Sequence, residues 1–312
     1  MNCYQNMLNR LGRILLGGEL AYKDTIIIGD NSSGKSDILR EIIQNSDGYS
    51  YYFIDAVNRY FDVKQIMPKW EQKISFSKEI NIHRLYEDNF NHKDSFYYGG
   101  TPKAIEDFYL NYADEVNNLM KEFLKIEFEI KRGAVDWEVY LDGAKATLSS
   151  GYQALLRIFM EVVYYKNTNK TGTVVIDEID EFLSVKNCGE IFDFLRQKFS
   201  MMHFIVTTHS ADLVANTEAA NLILLQEGEF EVLDAGDFSG ISQVYDIFEA
   251  VFERNSEKSQ KDEIDDKLRI FLNNKMSGIW EDEDEKRLHD MKKQNLTKAQ
   301  KMVIKQIEEW SI

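Results

Sequence analysis

Only two cysteines, Cys3 and Cys188, occur in the 312 residues, and their spacing suits neither a disulfide framework nor a metal site. A chain so poor in cysteine is expected in a reducing, cytoplasmic setting. Also missing is any apolar run near the roughly 18 residues that suggest a membrane span, so no membrane partner is expected. The opening MNCYQNMLNRLGRILLGG lacks the apolar core of a signal peptide, because Arg10 and Arg13 interrupt its pattern. It reads instead as an amphipathic helix with Leu8, Leu11 and Leu15 on one face. Positive charge is in deficit: 37 Lys and Arg against 53 Asp and Glu leave a net charge of −16. That balance argues against a surface that coats nucleic acid. Residues 253–312 hold 14 acidic and 13 basic side chains, so nearly all of the deficit falls on the first 252 residues. A local nucleic-acid contact stays open, but charge does not point to one. No internal repeat, low-complexity block or sustained heptad pattern occurs.

What is present is enough apolar sequence, 44% of residues, to bury the core of one large domain or two ordinary ones. Three stretches, DTIIIGDNSSGKSDILREIIQ, GTVVIDEIDEFLS and HFIVTTHSADLV, each begin as a strand apolar on both faces. Such strands alternating with helical runs predict an α/β fold with a mostly parallel sheet covered by helices. The helical run from Gly151 to Lys166 belongs between the first and second of these strands, and NLILLQEGEFEVLDAG predicts a closing hairpin turned at Glu227-Gly228. Between them, YSYYFIDAV reads as a strand, Pro102 to Lys125 as one long amphipathic helix, and KIEFEIKRGAVDWEVYLDG as a β-hairpin. The expected division is a domain over residues 1–238, with a lobe at about 59–125, and a charged helical region over 239–312. In that region, SEKSQKDEIDDK reads as an exposed linker or helix face.

Chemistry concentrates at the ends of the apolar strands. GDNSSGKS, from Gly29 to Ser36, fits the phosphate-loop (Walker A) pattern GxxxxGK[ST] with a strand before it and a helix after it. Glycines let successive backbone N–H groups turn inward around phosphate oxygens, and the helix start adds a favourable dipole. Gly29, Asn31, Ser32, Ser33 and Gly34, with Lys35, Ser36 and Asp37, form the candidate nucleotide-binding set. Lys35 is suited to the β- and γ-phosphates, and the Ser36 hydroxyl to Mg²⁺. In TVVIDEID, Asp177 ends a buried strand at the crevice where open α/β sheets bind ligands, and is the second candidate metal ligand. Glu178 follows, placed to orient or deprotonate an attacking water. Read alone, VVIDE could also be a strand ending in solvent-facing acids, the less favoured of the two readings. His209, in VTTHS, lies 32 residues after Asp177 at another strand end, and is the second candidate catalytic residue. A lone histidine is more often structural; its position here is what raises it.

The stretch LSSGYQ, residues 148–153, then acquires meaning. With the three motifs above it resembles the ABC-type ATPases, and more narrowly their soluble branch of SMC, RecF and OLD-like proteins, over roughly residues 24–234. The family writes this signature LSGGQ or LSSGE. Leu148, Ser149 and Gly151 match, Ser150 stands where a glycine is usual, and Tyr152 replaces Gln or Glu. The resemblance implies a head that binds and hydrolyses ATP with Mg²⁺. It implies a dimer, or a larger homo-oligomer built on it, in which Ser149, Ser150 and Gly151 of one subunit close on the ATP held by the other. Asp180, in DEIDEF, takes the position of the loop that crosses that interface. Neither Gln65 nor Gln72 follows a persuasive strand, so no residue is assigned to the family's glutamine loop. The family usually begins with a strand and hairpin, where this chain has its predicted helix.

Three branches of the family compete. Transporter subunits usually continue the acidic motif as DEP, which is absent here. Long-armed chromosome and repair ATPases place hundreds of heptad residues between phosphate loop and signature, where this chain has only about 110 residues. The basic, aromatic-interleaved stretch within residues 59–93 could touch nucleic acid, although a solvated lobe explains it as well. The compactness resembles the ATPases of bacterial defence systems such as Gabija, Septu and PARIS, which act beside a separate effector, a nuclease or toxin. No HEXXH, HNH-like or TOPRIM-like set of the chain's own occurs. The C-terminal run NLTKAQKMVIKQIEEW, with Leu296, Ala299, Val303, Ile307 and Trp310 at helical spacing, suits either a docking face or internal packing.

Overall fold

The computed structural model describes residues 3–238, apart from 56–59, 68–73, 86–96, 99, 170 and 227, together with positions between 264 and 309 of the C-terminal stretch. Its contacts divide the chain into two units, Met1–Phe252 and Glu253–Ile312.

The first unit is organised by a six-stranded sheet. Helix α1 (Cys3–Gly17) precedes β1 (Thr25–Gly29), which leads through the phosphate-loop sequence into α2 (Lys35–Asn45) and β2 (Tyr51–Ile54). After α3 (Glu79–Leu85) come the two-residue strands β3 (Tyr97–Tyr98) and β4 (Thr101–Pro102), then a 3-10 turn, Ile105–Phe108, that runs into α4 (Tyr109–Leu124). A three-stranded antiparallel sheet follows, of β5 (Phe128–Arg132), β6 (Trp137–Leu141) and β7 (Ala144–Ala146). The chain then alternates: α5 (Ser150–Asn169), β8 (Gly172–Ile176), α6 (Val185–Lys198), β9 (Met202–Thr207), α7 (Ala211–Ala215), β10 (Asn221–Gln226) and β11 (Glu229–Asp234). Strand order in the main sheet is β11-β10-β1-β9-β8-β2, parallel throughout except β11, which pairs antiparallel with β10 at one edge.

The burial pattern explains the continuous apolar strands. On β1, Ile26 and Ile28 face one core while Ile27 faces the other; on β9, Phe204 and Val206 oppose Ile205 in the same way. Alternate side chains thus enter two helical layers, as a doubly covered parallel sheet requires. Met7, Leu8, Leu11 and Leu15 of α1 pack in the second core with Ile38 and Ile42 of α2, so the amphipathic N-terminal helix takes part in covering the sheet. In α5 every residue from Ala154 to Tyr165 is buried, a helix enclosed on all sides.

Several expectations are modified. Pro102 to Lys125 is not one helix: Pro102 pairs with Tyr97 in the β3–β4 hairpin, and the α-helix proper begins at Tyr109 after the 3-10 turn. The hairpin of residues 125–143 gains a third strand, β7, too short for alternation to reveal. SEKSQKDEIDDK lies almost wholly outside the described residues, as do Gln72 and part of the basic stretch at 59–93.

In the second unit, α8 (Asp282–Met291) and α9 (Lys298–Glu309) bury Leu288, Met291, Leu296, Ile304 and Ile307 with Ile264, Leu268 and Phe271. Val303 packs against the same cluster. Leu296, Val303 and Ile307 of the run NLTKAQKMVIKQIEEW therefore take part in internal packing, while Trp310 lies outside the described residues.

Candidate functional site

The parallel strands β1, β8 and β9 end level with one another: Ile176 lies beside Val206, and Ile27 beside Thr207. After β1 the chain crosses two strands to place β2 at the far edge, so the sheet reverses direction of winding where β1 meets β9. That is where open α/β sheets form their ligand crevice.

At the end of β1 the backbone reverses twice, with Ser32 at φ 66° and Gly34 at φ 103°. Gly34 cannot be replaced lightly, because a Cβ there would lie 2.6 Å from the Tyr4 hydroxyl of α1. Asn31 and Ser32 are exposed, and the Ser33 N–H donates to the Asp30 carbonyl (3.1 Å). Ser33 Oγ is buried without a hydrogen-bond partner. Lys35, 6% exposed, donates through Nζ to the carbonyls of Gly29 (2.8 Å) and Asp30 (3.0 Å), lying back across the loop. Burial pushes its ammonium pKa down, against the opposing charges of Glu178, Asp177, Asp30 and Asp180. Asp37, in the first turn of α2, accepts the Tyr4 hydroxyl.

The Ser36 hydroxyl donates to Asp177 Oδ2 (2.7 Å), joining the two expected metal ligands directly. Asp177 is fully buried, and its other oxygen accepts the Thr207 hydroxyl (2.6 Å), which itself accepts the Glu178 N–H (2.6 Å). Thr207 was not singled out from sequence; the doubled threonine of VTTHS was its only signal. Glu178 has a left-handed backbone, φ 47°, a strained conformation for a non-glycine residue. Glu178 Oε1 and His209 Nε2 lie 3.7 Å apart, each about one-third exposed. The His209 N–H donates to Asp180 Oδ2 (3.3 Å), while Asp180 Oδ1 is buried without a partner. Seven residues spread over 177 positions of sequence, Ser33, Lys35, Ser36, Asp177, Glu178, Asp180 and His209, thus meet at one crevice.

These residues suit a phosphate and a hard divalent cation. A buried lysine, a twice-reversed loop and an unpartnered serine hydroxyl form an anion cradle at a helix start. Ser36 and Asp177 supply two oxygens. A magnesium ion commonly takes few protein ligands and completes its shell with phosphate and water. No cluster of three or more His, Cys, Asp or Glu suited to an all-protein metal site occurs among the described residues.

The signature residues sit on another element. Ser149 caps α5: its Oγ accepts the Tyr152 N–H (3.3 Å) and its carbonyl accepts the Gln153 N–H (3.0 Å). Ser150, exposed, is the first helical residue. A Cβ on Gly151 would lie 2.9 Å from the Phe182 carbonyl, so only glycine lets α5 approach the loop that carries Asp180. Tyr152 packs against the main core, which accounts for an aromatic side chain there.

The fold is α/β, a mostly parallel sheet flanked by helices, with the phosphate loop, Asp177, Glu178 and His209 at its strand ends and Ser149 and Gly151 at a helix start. No protein-family model matches the chain. Over 141 residues it is 28% identical to a Septu protein PtuA of Bacillus mycoides (strain KBAB4); the match covers 42% of this chain but only 17% of that relative. Among solved structures the chain is similar to an SMC head domain from Thermotoga maritima, 14% identical, covering 67% of this chain and 89% of the other, with TM-score 0.37. It is similar also to a putative metal-chelate type ABC transporter, 17% identical over 70% and 74% of the two chains, TM-score 0.36. No helix among the described residues is long and apolar enough to cross a membrane.

Proposed function

We propose that the chain is an ATP-hydrolysing switch. Two copies close on ATP and Mg²⁺, and their state controls a separate effector protein, a nuclease or toxin, in bacterial anti-phage defence. The observation that carries the reading is the meeting of Lys35, Ser36, Asp177, Glu178 and His209 at the carboxyl ends of β1, β8 and β9. In this reading Lys35 leaves the Gly29 and Asp30 carbonyls to neutralise the terminal phosphates. Ser36 and Asp177 hold Mg²⁺, which when bound offsets phosphate charge. Glu178 orients and deprotonates the attacking water. His209 contacts the γ-phosphate beside it. Ser149 and Gly151, at a capped helix start, present hydroxyl and N–H donors to the γ-phosphate of the second copy. Asp180 crosses beside them.

The defence role is supported by the similarity to a Septu protein PtuA, although the match spans only a small part of that relative. The competing reading is a repair or recombination ATPase that binds DNA. Turnover measured alone and with duplex or single-stranded DNA separates the two. The switch reading expects slow turnover that DNA leaves within about twofold; strong DNA stimulation supports the competing reading. Absence of any turnover, restored by no cofactor and lost by no Glu178→Gln change, would contradict both.

A further inference from the structure

A cluster of fully buried charges in the first unit lies outside the strand-end crevice. Arg84 of α3 and Arg157 and Glu161 of α5 are at most 1% exposed. Glu161 accepts four hydrogen bonds: from the Tyr52 hydroxyl of β2 (2.7 Å), from both terminal nitrogens of Arg84 (2.8 and 2.9 Å), and from Arg157 Nε (2.6 Å). A carboxylate has about four lone-pair sites, so this one is saturated. Arg84 also donates to the Phe53 carbonyl of β2. At the margins, Asp55 lies 4.0 Å from Arg84 and Glu106 lies 4.0 Å from Arg157.

Such a network does not by itself argue for stability. Buried ion pairs commonly match apolar packing at best, and their established use is to fix register. Register is what α5 needs. From Ala154 to Tyr165 it is buried on all sides, and the hydrophobic effect that drives this burial is non-directional. A slip of one residue turns a helix by about 100°, which would carry Gly151 away from the Phe182 carbonyl. The hub faces the right strand as well. Tyr52 and Phe53 belong to β2, and the carbonyl of Ile54, the last residue of β2, accepts the Asp177 N–H (3.0 Å).

We propose that Glu161 is a positioning residue that sets the rotation and height of α5 on β2, and so the place of Ser149 and Gly151 relative to Asp177. The proposal rests on the reading of these residues as parts of one ATP site. Glu161 touches no nucleotide; it acts through the helix that carries the signature.

Tyr52→Phe tests it mildly, removing one hydroxyl from the hub without changing packing. Tyr165→Phe is the control. Its ring stacks on Tyr52 (centroids 5.1 Å apart), but its hydroxyl bonds the Tyr49 carbonyl outside the hub. Both are compared with the unmodified chain in hydrogen exchange at the Tyr152 and Gln153 amides, nucleotide affinity of the monomer, and ATP-dependent dimer affinity in a Glu178→Gln background. For Tyr52→Phe, the two amides are expected to exchange about fivefold faster and the dimer to weaken about fivefold, roughly 1 kcal/mol. Monomer affinity should stay within twofold, and Tyr165→Phe should change none of the three. Unchanged exchange in Tyr52→Phe, or an equal effect in Tyr165→Phe, overturns the proposal. If the unmodified chain fails to bind ATP or dimerise, the ATPase reading falls, while the exchange comparison still decides the positioning of α5.

Discussion

Lys35, Ser36, Asp177, Glu178 and His209 share one physical property: each lies within a few residues of the carboxyl end of an apolar strand, in the following loop or at the helix it leads into. That is why they were legible in the sequence. Lys35→Ala removes the one buried cation of the loop, and nucleotide affinity measured by titration is expected to fall at least about 100-fold, as loss of a buried charged contact commonly does. Glu178→Gln should lower turnover about 100-fold or more while leaving nucleotide affinity within a few-fold. Thr207, Tyr4 and the Glu161 hub were not legible, because their partners lie 30, 33 and up to 109 residues away. Glu161 also carries a pH signature. Burial would raise its carboxyl pKa, but Arg84 and Arg157, with the Arg84 and Tyr52 hydrogen bonds, outweigh it and hold the value below the ordinary 4.5. A depressed folded pKa gives stability that is present above pH 4.5 and lost as pH falls through the lower folded value. The stability gap between the unmodified chain and Glu161→Gln, about 3–5 kcal/mol for a broken buried pair, should therefore hold from neutral pH to about 5 and narrow below it. Denaturant titrations across that range check this.

Among the elements, periodicity found what was long and regular and missed what was short. The spacing of Leu8, Leu11 and Leu15 predicted α1, yet could not show that its apolar face would lie on α2 and the sheet. Leu11 is completely buried, so Leu11→Ala is expected to cost about 2–5 kcal/mol in chemical denaturation; a cost under about 0.5 kcal/mol would make α1 a pendant helix. Helix α4 was drawn too long because the apolar spacing extends back through Ile105 and Phe108, residues that instead sit in a 3-10 turn after the Pro102 hairpin. A three-residue strand such as β7 offers too few positions for alternation to register. The capped start of α5 was visible as LSSGYQ. What sequence could not supply was Phe182, whose carbonyl makes glycine obligatory at 151.

For the molecule as a whole, the strand-end motifs made the parallel α/β class and its crevice side legible. The pairing order depended on crossovers that no local pattern records. The net charge of −16 sets an expectation at this scale: nucleotide-dependent assembly should depend on bound ATP and Mg²⁺ rather than on nucleic acid. The central claim is that two heads close on ATP through Ser149 and Gly151. Its most direct measurement is the mass in solution of Glu178→Gln with and without Mg²⁺-ATP, repeated with Ser149→Arg added. The account predicts monomer without ATP, dimer with it, and a monomer that still binds nucleotide once Ser149 is replaced. A Glu178→Gln protein that binds ATP yet stays monomeric, or a dimer indifferent to Ser149→Arg, would contradict it.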